Sequence, residues 1–432
     1  MDNNFKRAKF GTMQPNIDNL LELTPEDFDP ASDAQKEAFI QERPSTSYWK
    51  DAWRRLKMNK VAMVALGVII FLILFAFVGP VVVPYGYADF NKGAENLYPW
   101  HYSLKDQELL DSFNNGDDAT RLETALAKAE KEKGSKLTSI EKAKITAQVS
   151  TSAGDINSFM KENNIHKEWF GYSTDELKRI ESGEKVFPHV FGTDKNGRDI
   201  LVRTMVGTRV SMLVGIFAAL LVLIIGSLYG SISGFFGGLT DTIMMRIAEL
   251  IYSIPEILLV LLISVTLQPA LIAFKDSGTG FWNNLVGVMG PNLISMFIAF
   301  GLLYWVTMAR IIRGQILQLK EQEFVTAAKA LGASSGRIIK HHLLPNCVGQ
   351  IVVTTCLQIP SAIFLESFLS YLGVGVSAPM TSLGSMASDA LSGVQTYGYR
   401  LVIPALILSI MILAFNLFGD GLRDALDPRL KK

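Results

Sequence analysis

The amino-acid sequence predicts an all-α polytopic membrane protein with six transmembrane helices and both termini in the cytoplasm. Long apolar runs without charge alternate with charge-dense segments, although the apolar content of 49% is ordinary overall. Five basic residues lie between Lys50 and Lys60, just before the first apolar run, and the positive-inside rule therefore places the N-terminus inside. The short connections expected outside carry few basic residues, namely Lys275 and Arg400.

Composition excludes some classes of partner. The chain has 432 residues, with 41 Lys and Arg against 41 Asp and Glu, so its net charge is zero. Nucleic-acid binding needs a basic face and is not expected. The two cysteines, Cys347 and Cys356, fall in one apolar run, which does not indicate a disulfide framework.

Residues 1–60 are assigned to a cytoplasmic tail and an interfacial helix. Residues 1–47 are polar, mixed in charge and interrupted by prolines, which is typical of a flexible tail, and a cleavable signal peptide before the first span is not expected. In the helix that follows, Trp49, Trp53 and Leu56 can share one face, which would lie in the lipid headgroup region. A solvated basic flank that only sets the orientation is an equally good interpretation.

The first span, Val61–Val83, is long enough to cross about 30 Å of hydrocarbon. The second to sixth spans belong to a core over residues 210–430. Pro255 is expected to bend the third span and Pro360 to kink the fifth, while residues 268–290 form an external connection. The predicted spans are 61–83, 210–240, 243–267, 292–309, 347–371 and 401–419.

Three carboxylates in the predicted spans are candidates for a translocation path. Glu249 and Glu256 lie in the third span and Glu366 in the fifth. Acidic residues inside a membrane are functional candidates by default. Arg246 is three residues from Glu249, so the two can pair on one helical face. Alternatively, Glu249 and Glu256 lie in the cytoplasmic third, where water reaches them, and have no role in transport.

Residues 84–209 are predicted to form a long external insertion, partly helical, between the first two spans. Thr120–Gln148 is rich in Ala, Glu and Lys and is typical of a helix. The histidines His101, His166 and His189 are far apart and more typical of surface residues than of metal ligands. The segment FGTDKNGRDI from Phe191, followed by GTRVS from Gly207, contains turn-forming residues and leads into the next span.

A polar stretch over residues 321–346 interrupts the apolar C-terminal half. Ala327, Ala328 and Ala330 favour a helix, and Gly332 can supply a C-cap with positive φ. Ser334 or Ser335 can begin a second short helix that ends at Pro345. Small residues on the first helix leave a shallow surface, which indicates a docking element.

This stretch resembles the "EAA" loop of ABC-importer permeases at Ala327, Ala328, Gly332, Leu344 and Pro345. Thr326 stands where the general pattern has Glu, and His342 stands where it has Ile. Both departures resemble the peptide and nickel branch of that family. The segment from Phe191 to Ser211 also resembles that branch's signature FGTDxxGRDxxxRxxxGxRxS. Residues 366–375 and 414–428 are similar to its C-terminal sequences. The resemblance covers residues 47–85 and 187–430 and leaves residues 90–186 aside.

The resemblance implies a permease subunit of a binding-protein-dependent importer for dipeptides or oligopeptides in a prokaryotic plasma membrane. The implied partners are a second homologous permease subunit forming a heterodimer, two cytoplasmic ATPases, an external substrate-binding protein and the lipid bilayer. The chain has no Gly-Lys dipeptide and hence no phosphate-binding loop, so it is not expected to be an enzyme or to hold a cofactor, and ATP and Mg belong to the ATPases. The residues implied in coupling are Glu323, Ala327, Ala328, Gly332, Arg337, His342, Leu344 and Pro345.

Three alternatives remain at this point. The same fold could import nickel or another small solute, but no His or Cys cluster suits a metal path, which favours peptides. An ion-driven carrier would use the three carboxylates without ATP. An intramembrane enzyme lacks an HExxH motif or a nucleophile–base constellation. The external insertion is either a contact surface for the binding protein, through residues 120–148, or a tolerated elaboration of a loop.

Overall fold

The computed structural model describes residues 47–115, 126, 129–130, 138–139, 141–145, 156–378 and 380–426. The described residues from Ala52 onward belong to one compact unit, and residues 47–51 belong to a separate one. Among the described residues, six helical segments are long and apolar enough to cross a membrane, as the sequence predicts. They are Lys60–Val82, Ile200–Phe236, Glu256–Asp276, Pro291–Leu319, Ser335–Tyr371 and Tyr399–Leu426. Most of the tail that the sequence predicts to be flexible, and most of the predicted helix over residues 120–148, lie outside the described residues.

The helices and strands of the described residues are numbered here in chain order. The helices are α1 (Tyr48–Met58), α2 (Lys60–Phe77), α3 (Gly79–Val82), α4 (Leu104–Asn115), α5 (Ile156–Glu162), α6 (Thr174–Glu181), α7 (Ile200–Phe236), α8 (Gly238–Tyr252), α9 (Glu256–Asp276), α10 (Phe281–Met289), α11 (Pro291–Leu303), α12 (Trp305–Leu319), α13 (Glu323–Ala330), α14 (Ser335–Ile338), α15 (Val348–Tyr371), α16 (Leu383–Ala390) and α17 (Tyr399–Leu426). Two short strands, β1 (Trp100–His101) and β2 (Glu168–Trp169), pair antiparallel.

The longest helix, α7, is the axis of the bundle. Its 37 residues span about 55 Å at 1.5 Å per residue. Asp199 caps its N-terminus, where the carboxylate Oδ1 accepts a hydrogen bond of 2.9 Å from the amide of Val202. The helix therefore begins at Ile200, which corrects the predicted start of the second span at Val210.

Small residues bring α7 into close contact with α12. Gly226, Gly230 and Gly234 lie on the face of α7 that meets α12, and a Cβ at Gly230 would collide with the carbonyl oxygen of Ala309. Removing side chains from one face lets two membrane helices approach closely, so van der Waals contact holds them together.

The predicted third span has the wrong boundaries. Its residues form two helices, because α8 ends at Tyr252 and α9 begins only at Glu256. Pro255 is the N-cap of α9, where its fixed φ and missing N–H start a helix rather than bend one. After Glu256, α9 continues through Pro269 to Asp276 and occupies part of the predicted external connection.

The fourth and fifth segments are longer than predicted. The helices α11 and α12 meet at Tyr304 and continue past Ala309 to Leu319. Pro345 does not end the second short helix, because α14 continues through a π-helical turn and a 3₁₀ turn over residues 339–347 into α15. Pro345 occupies the first turn of the 3₁₀ segment, where its missing N–H costs no hydrogen bond.

The first and last segments pack against each other. A Cβ at Gly421 of α17 would collide with the Cβ of Ala62 in α2. The sequence predicts that the sixth span ends at Gly419. The helix α17 continues beyond that residue to Leu426, and the added turns are charged. In α1, Leu56 is buried beside Ala62, whereas Trp53 is half exposed, so Trp53 and Leu56 do not form one lipid-facing surface.

The two ends of α7 separate two regions of the bundle. At its N-terminus lie residues 84–115 and 156–199, which include the β1–β2 pair, and the described residues of 372–398; we call this region the signature end. At its C-terminus lie residues 320–347, which we call the loop end, where Lys329 packs over the ring of Phe235. Changes at one end are therefore remote from the other.

Candidate functional site

At the loop end, α13 is held to the bundle along one side. Val325 is fully buried and Ala328 nearly so, in a cluster with Ile316, Ile338 and Leu343. This cluster joins α13 to the C-terminal part of α12 and to the turns that lead into α15. The helix is thus a packed element, and its opposite side is presented to the surroundings.

The exposed side of α13 and its following turn form an apolar patch, which we call the loop surface. It consists of Glu323, Phe324, Ala327, Leu331 and Gly332. Leu331 is 89% exposed and Phe324 is 40% exposed, although neither lies in a candidate span. An exposed apolar patch outside the lipid region indicates a protein-binding surface. Sequence analysis did not single out Phe324 and Leu331. Their position beside the small residues of α13 was the signal that could have identified them.

Gly332 ends α13 in the conformation that the sequence predicts. Its φ is +79°, and no heavy atom outside the adjacent chain lies within 4 Å of the position that a Cβ would take. The conformation selects glycine, because an L-residue with a Cβ is strained there. Space for a side chain is nevertheless available, so a substitution would project from the loop surface into the surroundings.

The other predicted coupling residues do not all share this surface. Arg337 and Pro345 are exposed, His342 and Leu344 are partly buried, and Ala328 belongs to the buried side of α13. The backbone carbonyl of His342 accepts a hydrogen bond of 2.6 Å from the side-chain amide of Asn346. Their roles in coupling stay predictions.

A charged clamp fixes α12 to the junction of α7 and α8. Arg313 donates two hydrogen bonds to Asp241, of 2.5 and 2.6 Å, and Ser233 donates a third. The hydrogen bond from Arg313 lowers the pKa of the Asp241 carboxyl from its ordinary value, although burial opposes this change. Such a bidentate pair fixes orientation as well as distance.

A cavity of about 750 Å³ lies where several helices are interrupted. It is bounded by the break between α8 and α9, the junction at Tyr304, the proline of α15 at Pro360, and α17. Irregular backbone at membrane depth occurs where it lines a cavity or is buried in protein. Its polar lining residues are Tyr252, Ser253, Glu256, Tyr304, Thr307, Gln358, Ser361 and Asn416.

The three candidate path carboxylates have different surroundings. Glu249 is half exposed and pairs with Arg246 at 2.7 Å, as the spacing predicts. Glu366 is fully buried and accepts hydrogen bonds from Ser211 at 2.7 Å and Ser370 at 2.8 Å. Glu256 lines the 750 Å³ cavity. The structure therefore does not bring the three together, and their role in a path stays a prediction.

The predicted signature forms a charged network at the signature end. Asp194 accepts hydrogen bonds from Arg198 at 2.7 Å and from Arg203 at 2.5 Å. Arg203 also donates one of 3.1 Å to Asp389 of α16. Gly197 has a positive φ of +71° and lies in the segment whose turn-forming residues the sequence indicates. This network ties the start of α7 to α16, and it borders a second cavity of about 370 Å³.

His189 is buried in the same region, whereas sequence analysis expected a surface residue. Its Nδ1 lies 2.7 Å from Asp199 and its Nε2 lies 3.3 Å from Glu176. The ring stacks on Tyr85, with centroids 4.5 Å apart. Burial alone would lower the pKa of His189, but the hydrogen bonds and charges of Asp199 and Glu176 raise it to about 9.

Comparison with known proteins identifies the family of this chain. Residues 223–432 match the family described as "Binding-protein-dependent transport system inner membrane component", and residues 47–99 match the "N-terminal TM domain of oligopeptide transport permease C". The dipeptide transport system permease protein DppC of Bacillus subtilis is 35% identical over 398 residues, which cover 92% of this chain and 91% of the relative. This chain belongs to that permease family.

Further permeases support the assignment. The oligopeptide transport system permease protein OppC of Bacillus subtilis is 46% identical over 263 residues, covering 61% of this chain and 79% of the relative. DppC of Lactococcus lactis is 36% identical over 388 residues, covering 90% of this chain and 92% of the relative.

Membership of this permease family also fixes the cellular location. The relatives are bacterial transport system permeases, and the chain has six helices that are long and apolar enough to cross a membrane. The protein is therefore a multi-pass protein of the bacterial cell membrane.

Proposed function

We propose that this chain is one of two membrane subunits of an ATP-driven importer of peptides. The loop surface carries the proposal, because an exposed leucine and phenylalanine beside small residues need a partner. The names of the relatives, which are oligopeptide and dipeptide permeases, give the substrate class. The chain would form half of the translocation path, and a second homologous permease subunit would complete it as a heterodimer.

In this proposal the loop end faces the cytoplasm and the signature end faces outward. Basic residues support this orientation, because six of them fall between residues 310 and 340. They are Arg310, Arg313, Lys320, Lys329, Arg337 and Lys340. Both termini are then cytoplasmic, and residues 84–199 form an external insertion. An external binding protein would deliver peptides to that side.

Two cytoplasmic ATPases would hold ATP and Mg, and one of them would bind the loop surface of this chain. The side of α13 away from the ATPase packs on α12, and the Arg313–Asp241 clamp joins α12 to α8. The other end of α8 reaches the 750 Å³ cavity through Tyr252. Movement of α13 can therefore reach the cavity through packed elements. Coupling requires the ATPase to bind one conformation of the permease better than the other.

The decisive experiment measures uptake of labelled dipeptides, oligopeptides and nickel by cells with and without this protein. ATP depletion and Gly332→Asp are the two tests of coupling. The new carboxylate would stand on the loop surface, so we expect uptake to be lost while membrane insertion is retained. Nickel uptake alone would change the substrate class. Peptide uptake that survives ATP depletion would contradict the proposal.

Gly93→Asp is a matched control for Gly332→Asp. Gly93 also has a positive φ, +88°, and open space where a Cβ would lie, but it belongs to the signature end. The two substitutions therefore impose similar backbone strain and the same charge at opposite ends of the bundle. We expect Gly93→Asp to retain uptake. Leu331→Ser adds a test that is free of backbone strain, and it should reduce the amount of ATPase that co-purifies.

A further inference from the structure

Among the three candidate carboxylates, Glu256 differs because it faces a cavity and has no basic side chain as a partner among the described residues. Glu249 has Arg246 as a partner, and three serines donate hydrogen bonds to Glu366. Within the described part of the chain, no basic group lies at ion-pair distance from Glu256. A carboxylate in a candidate span without a counter-ion is costly, which indicates that it serves a ligand or a path.

The cavity around Glu256 has the size and lining of a small-molecule site. Its volume of about 750 Å³ lies within the range of ligand pockets, about 300–1,000 Å³. Glu256 is the one charged side chain among its lining residues in the described chain. Tyr304 lies beside that carboxylate, and Gln358 and Asn416 add amide groups. Phe364 and Leu259 supply apolar surface.

This combination suits one end of a peptide. A single negative charge attracts an ammonium group and repels a carboxylate. Side-chain amides and hydroxyls can hydrogen-bond to peptide groups of any sequence, and the apolar wall can contact varied side chains. We propose that the Glu256 carboxylate binds the free α-ammonium group of the peptide during its passage. The inference rests on the proposed function, because it takes a peptide to be the transported solute.

The test uses the assembled importer with its ATPases and binding protein. One tripeptide carries a photoreactive group on its amino-terminal residue, and a second carries it on its carboxy-terminal residue. In the wild type, the amino-terminal label should cross-link to residues that line the cavity. Glu256→Gln removes the charge at nearly constant volume. It should reduce this labelling about tenfold, which corresponds to a loss of about 1.4 kcal/mol in binding free energy. Labelling of the cavity from the carboxy-terminal position should change little.

Two controls make the result interpretable. Asp276→Asn removes one negative charge from the opposite end of α9, outside the cavity, and should leave both labels unchanged. Glu256→Asp keeps the charge, so it should retain amino-terminal labelling if the variant assembles. Equal labelling by wild type and Glu256→Gln, with peptide uptake intact, would overturn the inference. Absence of peptide uptake by the wild type would instead overturn the proposed function.

Discussion

At the scale of single residues, His189 shows how a buried charge can link stability to pH. Its imidazole lies between Asp199, which caps α7, and Glu176, in the first turn of α6. The protonated ring is therefore held by two carboxylates from different elements. Because Asp199 starts the helix that is the axis of the bundle, loss of this charge would loosen the junction between the signature end and the spans.

The sign of the pH dependence follows from the raised pKa. The folded protein binds the His189 proton more tightly than the unfolded chain, with a pKa of about 9 against 6.5. The stabilisation is fully present below pH 6.5 and is lost as the pH rises towards 9. It amounts to roughly 3 kcal/mol at most. We predict that His189→Gln removes this part of the pH dependence from the unfolding midpoint of the purified protein.

His166→Gln provides the control for that measurement. His166 is exposed, and its Nε2 lies 3.1 Å from the side-chain oxygen of Asn164. Its replacement should leave the decline in the unfolding midpoint between pH 6.5 and 9 as in the wild type. A His189→Gln protein that declines as steeply as the wild type would show that the histidine charge does not contribute.

At the scale of elements, the Arg313–Asp241 clamp determines whether α8 and α12 move together. The two residues are 72 positions apart in sequence, and each contributes two atoms to the contact. Arg313→Lys keeps the charge but cannot form the bidentate pair. We predict a loss of about 1.5–3 kcal/mol in stability, the range for hydrogen bonds to charged groups. ATP-driven uptake should fall further than the amount of folded protein does.

A charge exchange tests whether the pair itself matters. Asp241→Arg and Arg313→Asp should each be more harmful alone than when combined, because the double variant restores opposite charges. The unfolding midpoint and peptide uptake should recover together in the double variant. Additive losses in a double-mutant cycle would mean that the two residues act independently.

The elements also show what a sequence can predict. The positive φ of Gly332 and the Arg246–Glu249 pair were predicted correctly, because each depends on a few neighbouring residues. The boundary near Pro255 was misplaced, because the apolar pattern continues across the break between α8 and α9. Hydrophobicity alone does not distinguish one bent helix from two consecutive ones.

Tertiary contacts explain the remaining misses. The exposure of Leu331 depends on which side of α13 packs against α12, and a short helix with several small residues leaves that choice open. The burial of His189 depends on Tyr85 and Glu176, which belong to separate segments. One sequence without its contacts indicates which residues are unusual, but not which of them meet.

At the scale of the whole molecule, one part of the insertion between the first two spans stabilises the signature end. Residues 171–199 pair back on themselves, since Gly171 and His189 exchange backbone hydrogen bonds of 2.9 and 3.0 Å. Glu176 contacts His189, and β2 pairs with β1. A deletion of residues 105–180 would remove these contacts, so it could not separate docking of the binding protein from loss of structure.

Residues 116–155 offer a cleaner deletion. The helices on either side, α4 and α5, are joined by the stacked rings of Phe113 and Phe159, whose centroids are 4.3 Å apart. A short linker between Asn115 and Ile156 should therefore close the gap with little strain. We predict that this deletion leaves the unfolding midpoint and assembly with partner subunits unchanged, whereas deletion of residues 105–180 lowers both.

The affinity of the shortened protein for the substrate-binding protein then decides the role of the insertion. If residues 120–148 are a contact surface, deletion of residues 116–155 should weaken binding and reduce peptide uptake at limiting binding-protein concentration. Uptake at saturating concentration should recover, because the spans and the loop surface are unaltered. Unchanged affinity would reject docking at this segment and favour a tolerated elaboration, since lengthening a surface loop has a small entropic cost.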